Sequence, residues 1–402
     1  MSERYVPPEA REETHEWSTD ETVDFIKNEW KGFFHNHPQE RVRDPQTPQL
    51  TMDVAKFFTG TWRMPQHGTL GHMEKAYKIT PEWLRGEAEQ IVKEKGGIPE
   101  DYADEALQRI LEKEFHQPAD IEQQADQARQ ASTEEHRVIG GAEVDMAATV
   151  DSTGRLTIAP LTAEETLRQL DVDYLVFSLH ADTDPLLREI ARQPGDPEKL
   201  TQIYESMANI ADTIRQNNPS HPLVLAGHPL SRAEARSAMS RGQKARVIQA
   251  FTDRHIPLEI SLNDYYWWRP RPDSNPEQDI TTKVPLLDPE MLNLIKESGA
   301  LVFVDTDLHF GDWLRDRQHE AKNNPKKLGR AVGDQRDFSA QTMDDDLTGW
   351  PEKRLMELPR YLRPQVARFI RVVKHLLNSG IKPEQIANTK TIEELRQIQS
   401  ED

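Results

Sequence analysis

Residues 174–180 read YLVFSLH: an unbroken apolar run, a serine and, two residues on, a histidine. The pattern returns at 223–229 as LVLAGHP, at 257–263 as PLEISLN and at 300–309 as ALVFVDTDLH. A longer version, RVIGGAEVDMAATV, stands at 137–150. A strand with one face in water alternates apolar and polar residues. A run without alternation marks a strand covered on both faces, as in a parallel sheet. Helical patterns fill the gaps. One starts near Thr162, where TAEE has the form of a capping box; the others span about 197–215, a stretch through about Ala250, and 289–298. Short RLTIAPL follows a turn at Asp151-Ser-Thr-Gly154. Strands alternating with helices predict an α/β fold, either a doubly wound sheet or a barrel.

Outside this middle the patterns thin out. Residues 1–18 read as a flexible arm. A short helix capped by Thr19 or Asp20 follows, with Val23, Ile26 and Trp30 at i, i+3, i+7 spacing. Residues 38–66, rich in Pro, Gln and Arg, read as an irregular excursion. Two helical patterns lie between Pro81 and Glu114. A polar stretch from 310 to about 355 reads as a loop over the mouth. It is followed by a helix with Val366, Phe369, Ile370, Val373 and Leu377 on one side. The expected organisation is one domain over 19–402, with insertions at about 38–112 and 310–355 that shape substrate access.

Composition narrows the chemistry. The formal net charge is −19, which speaks against wrapping duplex nucleic acid through its phosphates. There is no cysteine, so a metal would have to sit on nitrogen and oxygen ligands. The first residues are acidic and polar, and no stretch approaches the roughly 20 apolar residues of a membrane span. A cytoplasmic location is the expectation.

Metal-type side chains recur in segments that read as strand ends: His35 and His37 in GFFHNH, His67 in MPQHGTL, His116 in KEFHQPAD, Glu143 in GAEVD, His180, His228, Asp307 and His309. On a strand, i and i+2 face the same side, so His35 with His37, or Asp307 with His309, can bind one ion. The mouth of a barrel gathers side chains from many strand ends, which favours the barrel over the open sheet.

The ordered set HNH, EFH, GAEVD, SLH, GHP, EIS and TDLH, from Gly32 to His309, resembles the PHP family of metal-dependent phosphoesterases, the polymerase and histidinol phosphatase superfamily. The tail IKPEQIAN is similar to the family's closing segment. The resemblance implies a distorted seven-stranded β/α barrel with two or three divalent ions (Mn, Zn or Fe). It assigns His35, His37, Glu143 and Asp307 to a first ion, and Glu143, His180 and His228 to a second. His116, His309 and His67 would hold the third, with His72 as the alternative to His67. The chain departs from the family at Phe33 and Phe115, where members usually carry Asp.

After EIS comes NDYYWWRPRPD. Arg269 and Arg271 fit a phosphate-binding role, because guanidinium pairs bidentately with phosphate oxygens. Tyr265, Tyr266, Trp267 and Trp268 could wall the pocket. The expected function is hydrolysis of a small phosphomonoester by attack of a metal-bridging hydroxide, with no protein nucleophile. Two alternatives are a nucleotide or oligonucleotide phosphoesterase on the same fold, with the aromatic cluster stacking a base, and a non-catalytic member that binds metal or a partner. Oligomeric state has no signal in the sequence.

Overall fold

The computed structural model describes residues 15–30, 62–70, 81–103, 105–106, 109–110, 118–131, 136–150, 156–179, 197–227, 229, 239–261, 289–305 and 363–400. The strands are β1 (Trp62–Leu70), β2 (His136–Val150), β3 (Leu156–Pro160), β4 (Tyr174–Ser178), β5 (Leu223–Gly227), β6 (Leu258–Ser261) and β7 (Val302–Asp305). The helices are α1 (Thr19–Glu29), α2 (Pro81–Lys95), α3 (Pro118–Ala131), α4 (Glu164–Gln169), α5 (Pro197–Asn217), α6 (Arg241–Thr252), α7 (Pro289–Ser298), α8 (Arg363–Asn378) and α9 (Ile392–Ser400).

The sheet order is β1-β2-β4-β5-β6-β7, parallel at every step, with β3 running antiparallel to the far end of β2. The apolar runs are therefore mixed α/β strands of a mostly parallel sheet. Among the described residues, β1 and β7 are not paired with each other.

Alternation along the strands divides the core. Ala142, Val144, Leu175, Phe177, Val224, Ala226, Leu258, Ile260, Val302 and Val304 belong to the larger cluster, with the apolar sides of α5, α6, α7 and α8. In α5 this side is Leu200, Ile203, Tyr204, Met207, Ala211 and Ile214, the spacing of one helical stripe. Ile139, Tyr174, Val176, Leu223, Leu225 and Phe303 point to the other face, against Ala387, Ile392 and Leu395. The closing segment and α9 thus cover part of the second face. Close approach fixes two glycines in β2. A Cβ on Gly140 would lie 2.1 Å from the Ala125 Cα of α3, and one on Gly141 would lie 2.4 Å from the Tyr174 ring.

Two buried amides complete the sheet. The Asn388 side chain accepts from the Val304 N–H at 2.8 Å and donates to the Val304 carbonyl at 3.1 Å. The Gln399 side chain does the same at Val224, at 3.1 and 2.8 Å, and also donates to the carbonyl of His255. Each amide imitates the strand neighbour that these backbone groups would otherwise lack. Trp17, just ahead of α1, is tied to α8 in a similar way: Asn378 accepts from the Trp17 N–H and donates to the Trp17 carbonyl.

Several expectations shift. The cap of α1 is Ser18, not Thr19 or Asp20, and it forms a full capping box with Glu21. The TAEE box does not form; α4 begins after Ala163, which makes no side-chain cap bond. The stretch expected to be irregular up to residue 66 already contains the start of β1. Residues 118–131, which show no strong apolar period, form α3. No described helix is long and apolar enough to cross a membrane.

Two measurements probe this frame. Asn388→Ala leaves both Val304 backbone groups without a partner and is expected to cost about 2 kcal/mol in urea unfolding; a loss within about 0.5 kcal/mol would show the amide to be dispensable. On the helical layer, Arg246 of α6 pairs with Glu198 at 2.8 Å and with Glu205 at 2.9 Å. The Arg246 hydrogen bond holds the Glu198 carboxyl below its ordinary value. A carboxylate with a lowered folded pKa adds stability above its unfolded value and loses it as pH falls through the folded one. Wild type should therefore melt above Arg246→Ala near neutral pH, with the gap closing in acid. An equal gap at both ends of the titration would exclude this ion pair as its source.

Candidate functional site

The second face changes character from one end of the strands to the other. Near the strand N-termini it carries Tyr174, Leu223 and Phe303, packed against Ile392 and Leu395 of α9. Toward the C-termini the same parity gives Glu143 and Asp145 in β2, Ser178 in β4, Gly227 in β5 and Glu259 in β6. Gly141 meets the Tyr174 ring on this face, and a side-chain period of two carries Glu143 and Asp145 to the same side. Glu259 lies between Leu258 and Ile260, which both face the other cluster.

Register aligns these positions. Asp145 pairs with Ser178, and Ser178 with Gly227. Ala226 pairs with Leu258, which sets Gly227 beside Glu259. Glu143 lies one step lower, opposite Thr69 on one side and Val176 on the other. The carboxyl-bearing residues are 3%, 0% and 4% exposed for Glu143, Asp145 and Glu259. Carboxylates so deep are tolerated only when paired, hydrogen-bonded or metal-bound, and none of the three is without a partner.

Ser178 differs. It is fully buried, and its Oγ has no hydrogen-bond partner among the described residues. An unsatisfied buried hydroxyl costs about 1–3 kcal/mol. Its position explains the neighbouring glycine: a Cβ on residue 227 would lie 2.1 Å from the Ser178 Oγ and 3.0 Å from a Val176 methyl.

The residues expected to bind metal are distributed unevenly over what is described. His35, His37, His116, His180, His228, Asp307 and His309 lie outside the described residues, as do the alternative His72 and the phosphate-binding Arg269 and Arg271. His67 lies within β1, in register with Gly141, rather than at a strand end. Glu143 is likewise internal to β2, which continues to Val150. Among the described residues, no three His, Asp or Glu side chains are grouped so as to hold a metal ion.

Asp145, Ser178, Gly227 and Glu259 received no role from the sequence. The signal was present in part: Asp145 is two residues from Glu143, hence on its face. Nothing local in the sequence joins Ser178 to Gly227. Gly227→Ala is expected to destabilise the protein by about 1–3 kcal/mol through overpacking. Ser178→Ala in the same chain should recover much of that loss, as a double-mutant cycle in denaturant would show. Additive losses would mean that the two residues do not touch. No protein-family model matches this chain, and no curated protein matches it.

Proposed function

We propose that the chain is a metal-dependent phosphoesterase whose parallel strands belong to a barrel of the PHP type, acting on a small phosphomonoester. One observation carries this reading. Glu143 lies in β2, and His180, His228 and Asp307 follow β4, β5 and β7 by one or two residues in sequence; these strands run parallel in one sheet, so their C-terminal ends share an edge. The polarity of the second face points the same way, with Glu143, Asp145 and Glu259 toward that edge and an apolar plug at the other. Active sites of parallel α/β proteins lie at the C-terminal ends of the strands.

The donor set is imidazole and carboxylate, which suits Mn, Zn or Fe. When bound, such ions supply Lewis acidity and lower the pKa of a water molecule toward neutrality. The chain's own share is to hold those ions with His35, His37, His67, His116, Glu143, His180, His228, Asp307 and His309, and to fix the substrate. Arg269 and Arg271 would grip the phosphoryl oxygens bidentately and offset the charge that builds on them. The net charge of −19 suits a small substrate better than a long polyanion.

The test is hydrolysis of p-nitrophenyl phosphate by purified protein with added Mn²⁺ or Zn²⁺. Turnover should exceed that of a His35→Ala, His180→Ala double variant by at least about a hundredfold, since loss of ion ligands removes the main electrostatic contribution. Turnover equal to that of the double variant under every metal would sink the reading.

A further inference from the structure

The buried hydroxyl of Ser178 is a second feature of the polar row, independent of its carboxylates. Its Oγ lies where a side chain at Gly227 would begin, so it leans from β4 toward β5. Glu259 lies beside Gly227 in the register, about one strand spacing (roughly 4.8 Å) further on. No described residue bonds to the hydroxyl. A buried hydroxyl with a carboxylate two strands away, across a glycine, offers two polar partners to an internal water. Gly227 itself puts no side chain between the hydroxyl and Glu259.

We infer that Ser178 is a positioning residue: its hydroxyl holds an ordered water that bridges to the Glu259 carboxylate across Gly227 and fixes that carboxylate at the C-terminal edge of the sheet. The water and the bridge are independent of the phosphoesterase reading. Their consequence for turnover rests on the phosphoesterase reading. In that setting Ser178 touches neither substrate nor metal and acts through Glu259.

Two arms test this on the full chain. The first is a high-resolution crystal structure of wild type and of Ser178→Ala. A water within hydrogen-bond reach of both the Ser178 Oγ and Glu259 in wild type, lost in the variant, is expected; a dry Oγ in wild type overturns the proposal. The second is kinetic, with p-nitrophenyl phosphate and Mn²⁺. Ser178→Ala and Glu259→Gln should each lower kcat about tenfold with KM unchanged, the range seen when outer partners of a metal site are removed. A purely structural role would instead lower the melting temperature and leave kcat of the folded protein intact, which overturns the positioning role. If wild type hydrolyses nothing with any metal, the phosphoesterase reading fails and diffraction alone decides: a bridging water sustains the inference, and its absence ends it.

Discussion

Everything in this molecule follows from strands that run in one direction while covered on both faces. Parallel order puts all C-terminal ends on one edge, and alternation then gives each strand one side chain per face at every step. The first face can be apolar throughout, because α5 to α8 cover it. The second face cannot serve both as core and as site at the same level. It is apolar where α9 packs, at Tyr174, Leu223 and Phe303, and polar beyond, at Asp145, Ser178 and Glu259. The division of labour is along the strand axis, not between strands.

The closing segment makes that division stable. Residues 383–400 contribute few large side chains, yet Asn388 and Gln399 reach into the sheet and satisfy the backbone of Val304 and Val224. Left without partners, these buried backbone groups would each cost about 1–3 kcal/mol. The asparagine that ends IKPEQIAN is Asn388, whose side chain takes the place of a strand neighbour. At the other end of the chain, Trp17, Phe25 and Trp30 pack edge to face in sequence, with Trp17 bonded to Asn378 of α8. Trp17 and the 383–400 segment are therefore both fastened by side-chain amides to the rest of the fold.

Much of the fold was legible residue by residue. The runs at 174, 223 and 302 read as buried strands because a strand covered on both faces needs no polar residue until it ends. Helices α5, α7 and α8 were equally clear, since their apolar residues recur on one side. β1 was not legible. WRMPQHGTL carries Pro65, Gly68 and four polar side chains, and its extended form comes from pairing with β2 over its whole length. α3 was missed because only Ile121 and Ala125 of its described side chains enter the core. The cap of α1 moved by one residue because Ser18 and Glu21 answer each other reciprocally, a capping-box spacing present in STDE and absent after Thr19, whose third residue on is Thr22.

The candidate site divides in the same way. The sequence by itself determined the chemistry on offer: no thiolate, a run of imidazoles and carboxylates after apolar strands, and Glu143 and Asp145 two residues apart, hence on one face. Only the tertiary structure decided which of these strands are neighbours and at what register, because pairing partners are set by long-range hydrogen bonds that no local pattern encodes. Ser178 and Gly227 lie far apart in the chain and within touching distance in the sheet. The serine sits where a side chain at 227 would be, and that juxtaposition exists only once β4 and β5 are side by side.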